Sequence, residues 1–214
     1  MPELVVTPLV NGRFVENCWL VGDAATREAV LIDPGEEPER FLAAVHSGGW
    51  TLTAVWLTHA HIDHVLGIPA VKEATGVPVL LHPADRPLYD GVAAQAQWMG
   101  FEAPALPAPD GVLTPGETLT VGGLRFAVRH TPGHSPGSVS FVGHGRIFGG
   151  DVLFRESIGR TDLPGGDYFS LMRTIHGEFL RLPDATIVHS GHGPDTTIGA
   201  ERRDNPFLAG AIRA

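Results

Sequence analysis

Short apolar runs punctuated by Gly, Pro and Asn-Gly pairs follow one another along the chain, a rhythm that predicts strands and tight turns rather than long helices. Leu4 to Val10, Asn17 to Gly22 and Ala29 to Asp33 are apolar or β-branched. With Asn11-Gly12 and Gly22-Asp23 between them, they predict an antiparallel meander. Pro34-Gly35 stops the third strand. Phe41, Leu42 and Val45 then share one face of a helix over Pro38 to Ser47, which Gly48-Gly49 ends.

The pattern continues with a strand at Thr53 to Leu57, a polar loop, and a helix from Gly67 to about Thr75. A strand at Val77 to Leu81 and a helix over Arg86 to Gly100 follow. The Pro-rich stretch Pro104 to Pro109 resembles a linker. Beyond it, strands are predicted at Thr118 to Val121, Leu124 to His130, Ser138 to Val142 and Arg146 to Phe148. A helix over Tyr168 to Leu180 and a strand at Thr186 to His189 complete the second half, and the tail from Gly199 to Ala214 holds a short helix ending before Pro206. Strands followed by helices occur in both halves, which predicts two sheets packed face to face with helices outside.

With 43% hydrophobic residues among 214, the chain can bury its own core, so one domain over 1–214 is expected. Gly 27 and Pro 18 are scattered among apolar segments, which fits many tight loops rather than disorder. The net charge of −9 argues against a nucleic-acid partner, since gripping phosphate needs clustered Lys and Arg. No apolar run is long enough to span a membrane. The single cysteine, Cys18, cannot form an internal disulfide, and no secretory signal is evident, so a cytoplasmic location is expected.

The densest chemistry is His59-x-His61-x-Asp63-His64, directly after a strand. Imidazole and carboxylate suit zinc and the borderline first-row metals. In extended backbone His59, His61 and Asp63 share a face, and a helical start after Asp63 turns His64 towards a second ion. A solvated polar loop is the bland alternative. Three further segments count against it, because Gly133-His134, Gly150-Asp151 and Gly191-His192 each place one ligand type just past a strand's end. The set divides into three imidazoles for one ion, two imidazoles and a carboxylate for the other, and one bridging carboxylate. Asp151 is the candidate for the bridge, with ions about 3.5–4 Å apart. Zinc is the expected metal, with iron and manganese as alternatives.

This ligand series resembles that of the metallo-β-lactamase superfamily. The resemblance implies an α/β (α+β) fold, an αββα sandwich of two mixed sheets. It implies His59, His61 and His134 on one ion, Asp63, His64 and His192 on the other, and Asp151 bridging. Thr131-Pro132-Gly133-His134-Ser135-Pro136-Gly137-Ser138, Gly159-Arg160-Thr161-Asp162-Leu163 and Ser190-Gly191-His192-Gly193 are similar to the small bacterial glyoxalase II-like hydrolases. That implies a small-molecule thioester substrate such as S-lactoylglutathione, a metal-bridging hydroxide as nucleophile, and catalytic roles for Asp63 and Asp151. True zinc β-lactamases typically carry cysteine where Asp151 stands, which points away from β-lactams. Glyoxalase II enzymes also carry a C-terminal helical extension that binds glutathione, whereas this sequence ends at Ala214, leaving the thiol carrier open.

Two alternatives remain within the resemblance: a persulfide dioxygenase-like mononuclear iron enzyme, and a hydrolase of lactones or other esters. Gly133-His134-Ser135-Pro136-Gly137 also fits the nucleophile-elbow pattern of serine hydrolases, but an elbow joins a strand to a helix and here a strand follows. Asp33 is the candidate partner behind the ligand imidazoles, with His130 and His189 as further ones. Arg155, Arg160, Arg202 and Arg203 read as solvated arginines before substrate anchors, and Trp98, Met99 and Phe101 as core before cleft wall.

Overall fold

The computed structural model describes residues 1–209. Its strands and helices, in chain order, are β1 (Leu4–Asn11), β2 (Glu16–Asp23), β3 (Glu28–Ile32), α1 (Pro38–Ser47), β4 (Thr51–Trp56), α2 (Ile68–Thr75), β5 (Val79–Leu81), α3 (Arg86–Asp90) and α4 (Val92–Trp98). Then come β6 (Gly111–Val112), β7 (Thr118–Val121), β8 (Leu124–His130), β9 (Val139–Gly143) and β10 (Arg146–Gly150). The chain continues with β11 (Leu153–Phe154), β12 (Ser157–Ile158), α5 (Tyr168–Thr174), β13 (Ile187–Ser190), β14 (Thr196–Thr197), α6 (Ile198–Asp204) and α7 (Pro206–Ala209). One sheet runs β1-β2-β3-β4-β5-β6 and the other β14-β13-β10-β9-β8-β7. Both are mixed: β1 to β3 form the expected antiparallel meander, β3 to β6 are parallel, and β10 lies antiparallel to β9 and parallel to β13.

Alternation along the strands builds the layers. In β2, Cys18 and Leu20 face the helices while Trp19 and Val21 face the opposite sheet; in β3, Ala29 and Leu31 face outward and Val30 and Ile32 inward. Buried on both faces, these strands read as continuous apolar runs. Trp56 meets Phe126 and Phe141 across the middle, with ring centroids 5.9 and 5.2 Å apart. Phe41, Ile68 and Val92 of α1, α2 and α4 cover the first sheet. Leu171, Ile198 and Leu208 of α5, α6 and α7 cover the second. The architecture is αββα.

Several boundaries differ from expectation. The helix expected over Arg86 to Gly100 breaks at Gly91 into α3 and α4, because that glycine lies off the helical region at φ −87°, ψ 6°. The helix from Tyr168 stays α-helical only to Thr174 and then widens into a π turn over Ile175–Phe179. The strand expected at Val77 starts at Val79, and that expected to end at Leu57 spans Thr51–Trp56. The two-residue strands β6, β11, β12 and β14 have too little sequence to show a period. The tail helix ends at Asp204 as expected and α7 follows it; residues 210–214 of that expectation lie outside the described residues. The Pro104–Pro109 stretch packs against the body: Leu106 joins the first helical layer and the Pro107 carbonyl accepts the Tyr89 hydroxyl at 2.8 Å. Among the described residues no helix is long and apolar enough to cross a membrane.

Candidate metal centre

The ligand-type residues all sit where strands of the two sheets end along one edge. β4 delivers Thr58 to His61, and a single helical turn over Ile62–His64 swings Asp63 and His64 round after them. β8 leads to His134, β10 to Asp151 and β13 to His192. An irregularity in the β10–β13 pairing between Phe148 and Gly150 turns the chain so that Asp151 points inward. Gly150 has φ 53° and lies where a Cβ would stand 2.4 Å from the Thr58 hydroxyl. A Cβ at Gly191 would fall 2.2 Å from Asp151 Oδ1. Glycine is required at both positions, which is why it flanks the ligands in the sequence.

Two triads result. His59, His61 and His134 offer one atom each, all within 4.8 Å of one another, and so do Asp63, His64 and His192. Asp151 stands between them: Oδ1 is 3.6 Å from His64 Nε2, and Oδ2 is 3.5 Å from both His134 Nε2 and His192 Nε2. Asp63 Oδ2 lies 3.2 Å from His192 Nε2 and 3.7 Å from His64 Nε2. All seven residues singled out in the sequence are therefore brought together.

Outer contacts fix how the rings turn. Asp33, held at φ 53°, accepts the Thr58 N–H at 2.7 Å, the Thr58 hydroxyl at 2.5 Å and the His64 Nδ1–H at 3.1 Å. With its own O–H donated in a hydrogen bond to Asp33, the Thr58 hydroxyl accepts Nδ1–H of His59 at 3.1 Å. His134 Nδ1 donates to the Arg160 carbonyl at 2.8 Å and His192 Nδ1 to the Phe14 carbonyl at 3.1 Å. With Nδ1 committed, these four rings present Nε2 to the centre. His61 is reversed, its Nδ1 lying 2.7 Å from His134 Nε2.

The electrostatics match a site for cations. His59 is held well below the ordinary imidazole range by burial and by the neighbouring rings of His64, His134 and His61. His61 is lowered to about 3, chiefly by burial and by His134. Burial pushes Asp151 upward, but His64, His192 and His134 prevail and hold it well below the carboxylate range; Asp63 is lowered against burial by His64 and His192. Conversely, Asp63 and Asp151 raise His64 well above its ordinary value despite burial. His59 Nε2, His64 Nε2 and Asp151 Oδ1 are buried without a hydrogen-bond partner. Such groups are costly to leave unpaired, and divalent cations are what this donor set fits.

A cleft of about 390 Å³ opens onto the cluster, with Phe14, Ile62, Met99, Phe154, Ile158 and Leu163 on its walls. Arg160 also reaches it, paired with Asp162 at 2.7 and 2.8 Å. Of the other arginines, Arg155 binds the Asp195 carbonyl, and Arg202 binds Asp184 and the Leu180 carbonyl. Met99 lines the cleft, whereas Trp98 is exposed and Phe101 packs against the first helical layer under Arg13. Ser135 is fully buried, its hydroxyl on Asp85 and Ser138, with no histidine to activate it. His130 bonds the Pro136 carbonyl, and His189 lies between Arg146 and Asp195, so neither touches a ligand ring.

Sequence reading missed the supports drawn from β2. Asn17 donates from its side chain to the carbonyls of Ser190 and Gly193 at 3.0 and 2.8 Å, and the Trp19 indole to Ser190 at 3.2 Å, clamping the His192 loop. Nothing in a lone Asn ahead of an apolar strand announces that role.

An αββα sandwich with a His and Asp cluster fitted to divalent cations at one edge defines a class of metallohydrolases. The chain belongs to the metallo-beta-lactamase superfamily, whose family model matches residues 11–192. It is 40% identical over 199 residues to the hydroxyacylglutathione hydrolase GloC of Haemophilus influenzae, covering 91% of this chain and 93% of that one. Among solved structures it is similar to the BLEG-1 B3 metallo-beta-lactamase, with TM-score 0.90 and 40% identity over 95% of this chain and 99% of that one. It is also similar to TTHA1623 in a di-iron-bound form, with TM-score 0.87 and 45% identity over 94% and 100% of the two chains.

Proposed function

We propose that the protein hydrolyses a thioester, S-lactoylglutathione or a related acyl-thiol, at a two-cation centre. The observation that carries this reading is Asp151, whose Oδ2 lies 3.5 Å from a histidine of each triad, His134 and His192, while Oδ1 lies 3.6 Å from His64. His59, His61 and His134 would hold one cation, Asp63, His64 and His192 the other, with Asp151 shared. When bound, such cations polarise a carbonyl and lower the pKa of water to about 7.

The chain's own residues do the rest. Asp63, ionised and at the cleft floor, accepts a hydrogen bond from an attacking water and orients it. The apolar walls exclude bulk solvent and pack the acyl chain. Both cleft carboxyls, Asp63 and Asp151, are held ionised, so neither serves as a general acid. A thiolate leaving group needs none, since thiols ionise near pKa ~8.5. Similarity to GloC supports the thioester. Similarity to a B3 metallo-beta-lactamase keeps β-lactams among the substrates to test, against the expectation drawn from Asp151. The di-iron form of TTHA1623 supports iron as an occupant beside zinc.

The test is thiol release from S-lactoylglutathione by protein loaded with zinc or iron, beside a chelator-stripped control. Parallel assays cover other thioesters, a lactone, a β-lactam, and oxygen uptake with glutathione persulfide. Rapid, metal-dependent thiol release is expected. Oxygen uptake without thioester turnover, or turnover of the β-lactam alone, would replace this reading.

A further inference from the structure

Asp85 ends the short turn Pro83–Asp85 after β5, and its side chain is fully buried. It reaches two ligand loops at once. Oδ2 accepts the Ala60 N–H at 3.0 Å and the Ser135 hydroxyl at 2.7 Å, and Oδ1 accepts the Gly137 N–H at 2.5 Å. Ala60 lies between His59 and His61, and Ser135 adjoins His134. Gly137 permits the approach, because a Cβ there would stand 2.5 Å from the Asp85 nitrogen and 2.7 Å from its Cγ.

No comparable bond runs from Asp85 to the other triad, whose outer supports are Asp33 behind His64 and the Phe14 carbonyl behind His192. Asp33 also reaches the first triad, through Thr58 to His59, whereas Asp85 bonds only beside His59, His61 and His134. A carboxylate, an acceptor on both oxygens, satisfies all three donors in this arrangement. An amide would turn an NH₂ towards at least one of them.

We propose that Asp85 is a positioning residue for one cation alone: it sets the spacing of the two loops that carry His59, His61 and His134, and so the affinity of that half-site. The inference rests on the two-cation reading above. It is tested by cobalt(II) titration of stripped protein against a competing chelator, with folding followed by circular dichroism. Asp85→Asn is placed in two backgrounds: His192→Ala, which disables the other half, and His61→Ala, which disables this one.

In the His192→Ala background, Asp85→Asn should weaken the remaining ion at least about tenfold, the scale seen when groups behind metal ligands are changed. In the His61→Ala background the remaining ion should be unaffected. Equal weakening in both backgrounds, or none in either, overturns the proposal while leaving the two-cation reading intact. Unaltered protein that takes up fewer than two ions overturns both. Should Asp85→Asn fail to fold, Ser135→Ala, which removes one donor of the three, must show a smaller loss confined to the same half; a loss in the other half, or none, overturns the proposal.

Discussion

Asp151 stands between the two triads, so its substitution can be told apart from that of a residue lying on one side. Asp151→Asn keeps the size but gives up the charge and one acceptor, so both ions should bind at least about tenfold more weakly and turnover should fall with them. His192→Ala should cost one ion and spare the other. Metal content by elemental analysis after dialysis distinguishes the two patterns, and an Asp151→Asn protein that retained two ions at full affinity would contradict the placement. All seven clustered residues were legible: four by their density in His59-x-His61-x-Asp63-His64 just after a strand, and His134, Asp151 and His192 by a repeated rule, a ligand type past a strand's end with glycine beside it. Asp85 and Asn17 follow no such rule. Each acts on backbone N–H or carbonyl groups far along the chain, and a lone Asp before Arg-Pro reads equally well as a turn residue.

Among elements, strands buried on both faces were legible as unbroken apolar runs, and the pieces that escaped were those too short to carry a period. The β11–β12 hairpin is two residues on each side, and it presents Phe154 and Ile158 to the cleft. Sheet-to-sheet ties were equally hidden. Asp23 at the end of β2 accepts N–H groups from Glu3 at 2.9 Å and, from the turn between β7 and β8 in the opposite sheet, Gly123 at 2.9 Å, with Ala25 at 3.0 Å. Those bonds, led by Glu3 and Gly123, hold its carboxyl below the usual range. A carboxyl lowered on folding stabilises the native state above its unfolded pKa of about 3.9, and that contribution is lost as pH falls through the folded value. Urea unfolding at stepped pH should show the loss in unaltered protein below about pH 4. Asp23→Asn should start less stable at neutral pH and show a shallower acid slope; an unchanged slope would remove Asp23 from the account.

For the molecule as a whole, the aromatic middle layer is what registers one sheet against the other. Phe141 is fully buried there against Trp56. Phe141→Ala should cost about 3–5 kcal/mol in urea unfolding, the range for deleting a buried phenyl ring; a cost below about 1 kcal/mol would mean that the sheets are held mainly by something else. That register matters to chemistry because the ligands are divided between the halves. The first sheet's loops carry His59, His61, Asp63 and His64, the second sheet's His134, Asp151 and His192. A chain cut within the Pro104–Pro109 stretch would therefore yield two fragments, and neither would own a complete triad, since one set lacks His134 until its counterpart arrives and the other lacks His192. Cations at this edge would act as a clasp between the fragments, so that reassembly of a severed chain and restoration of its reactive centre become one event.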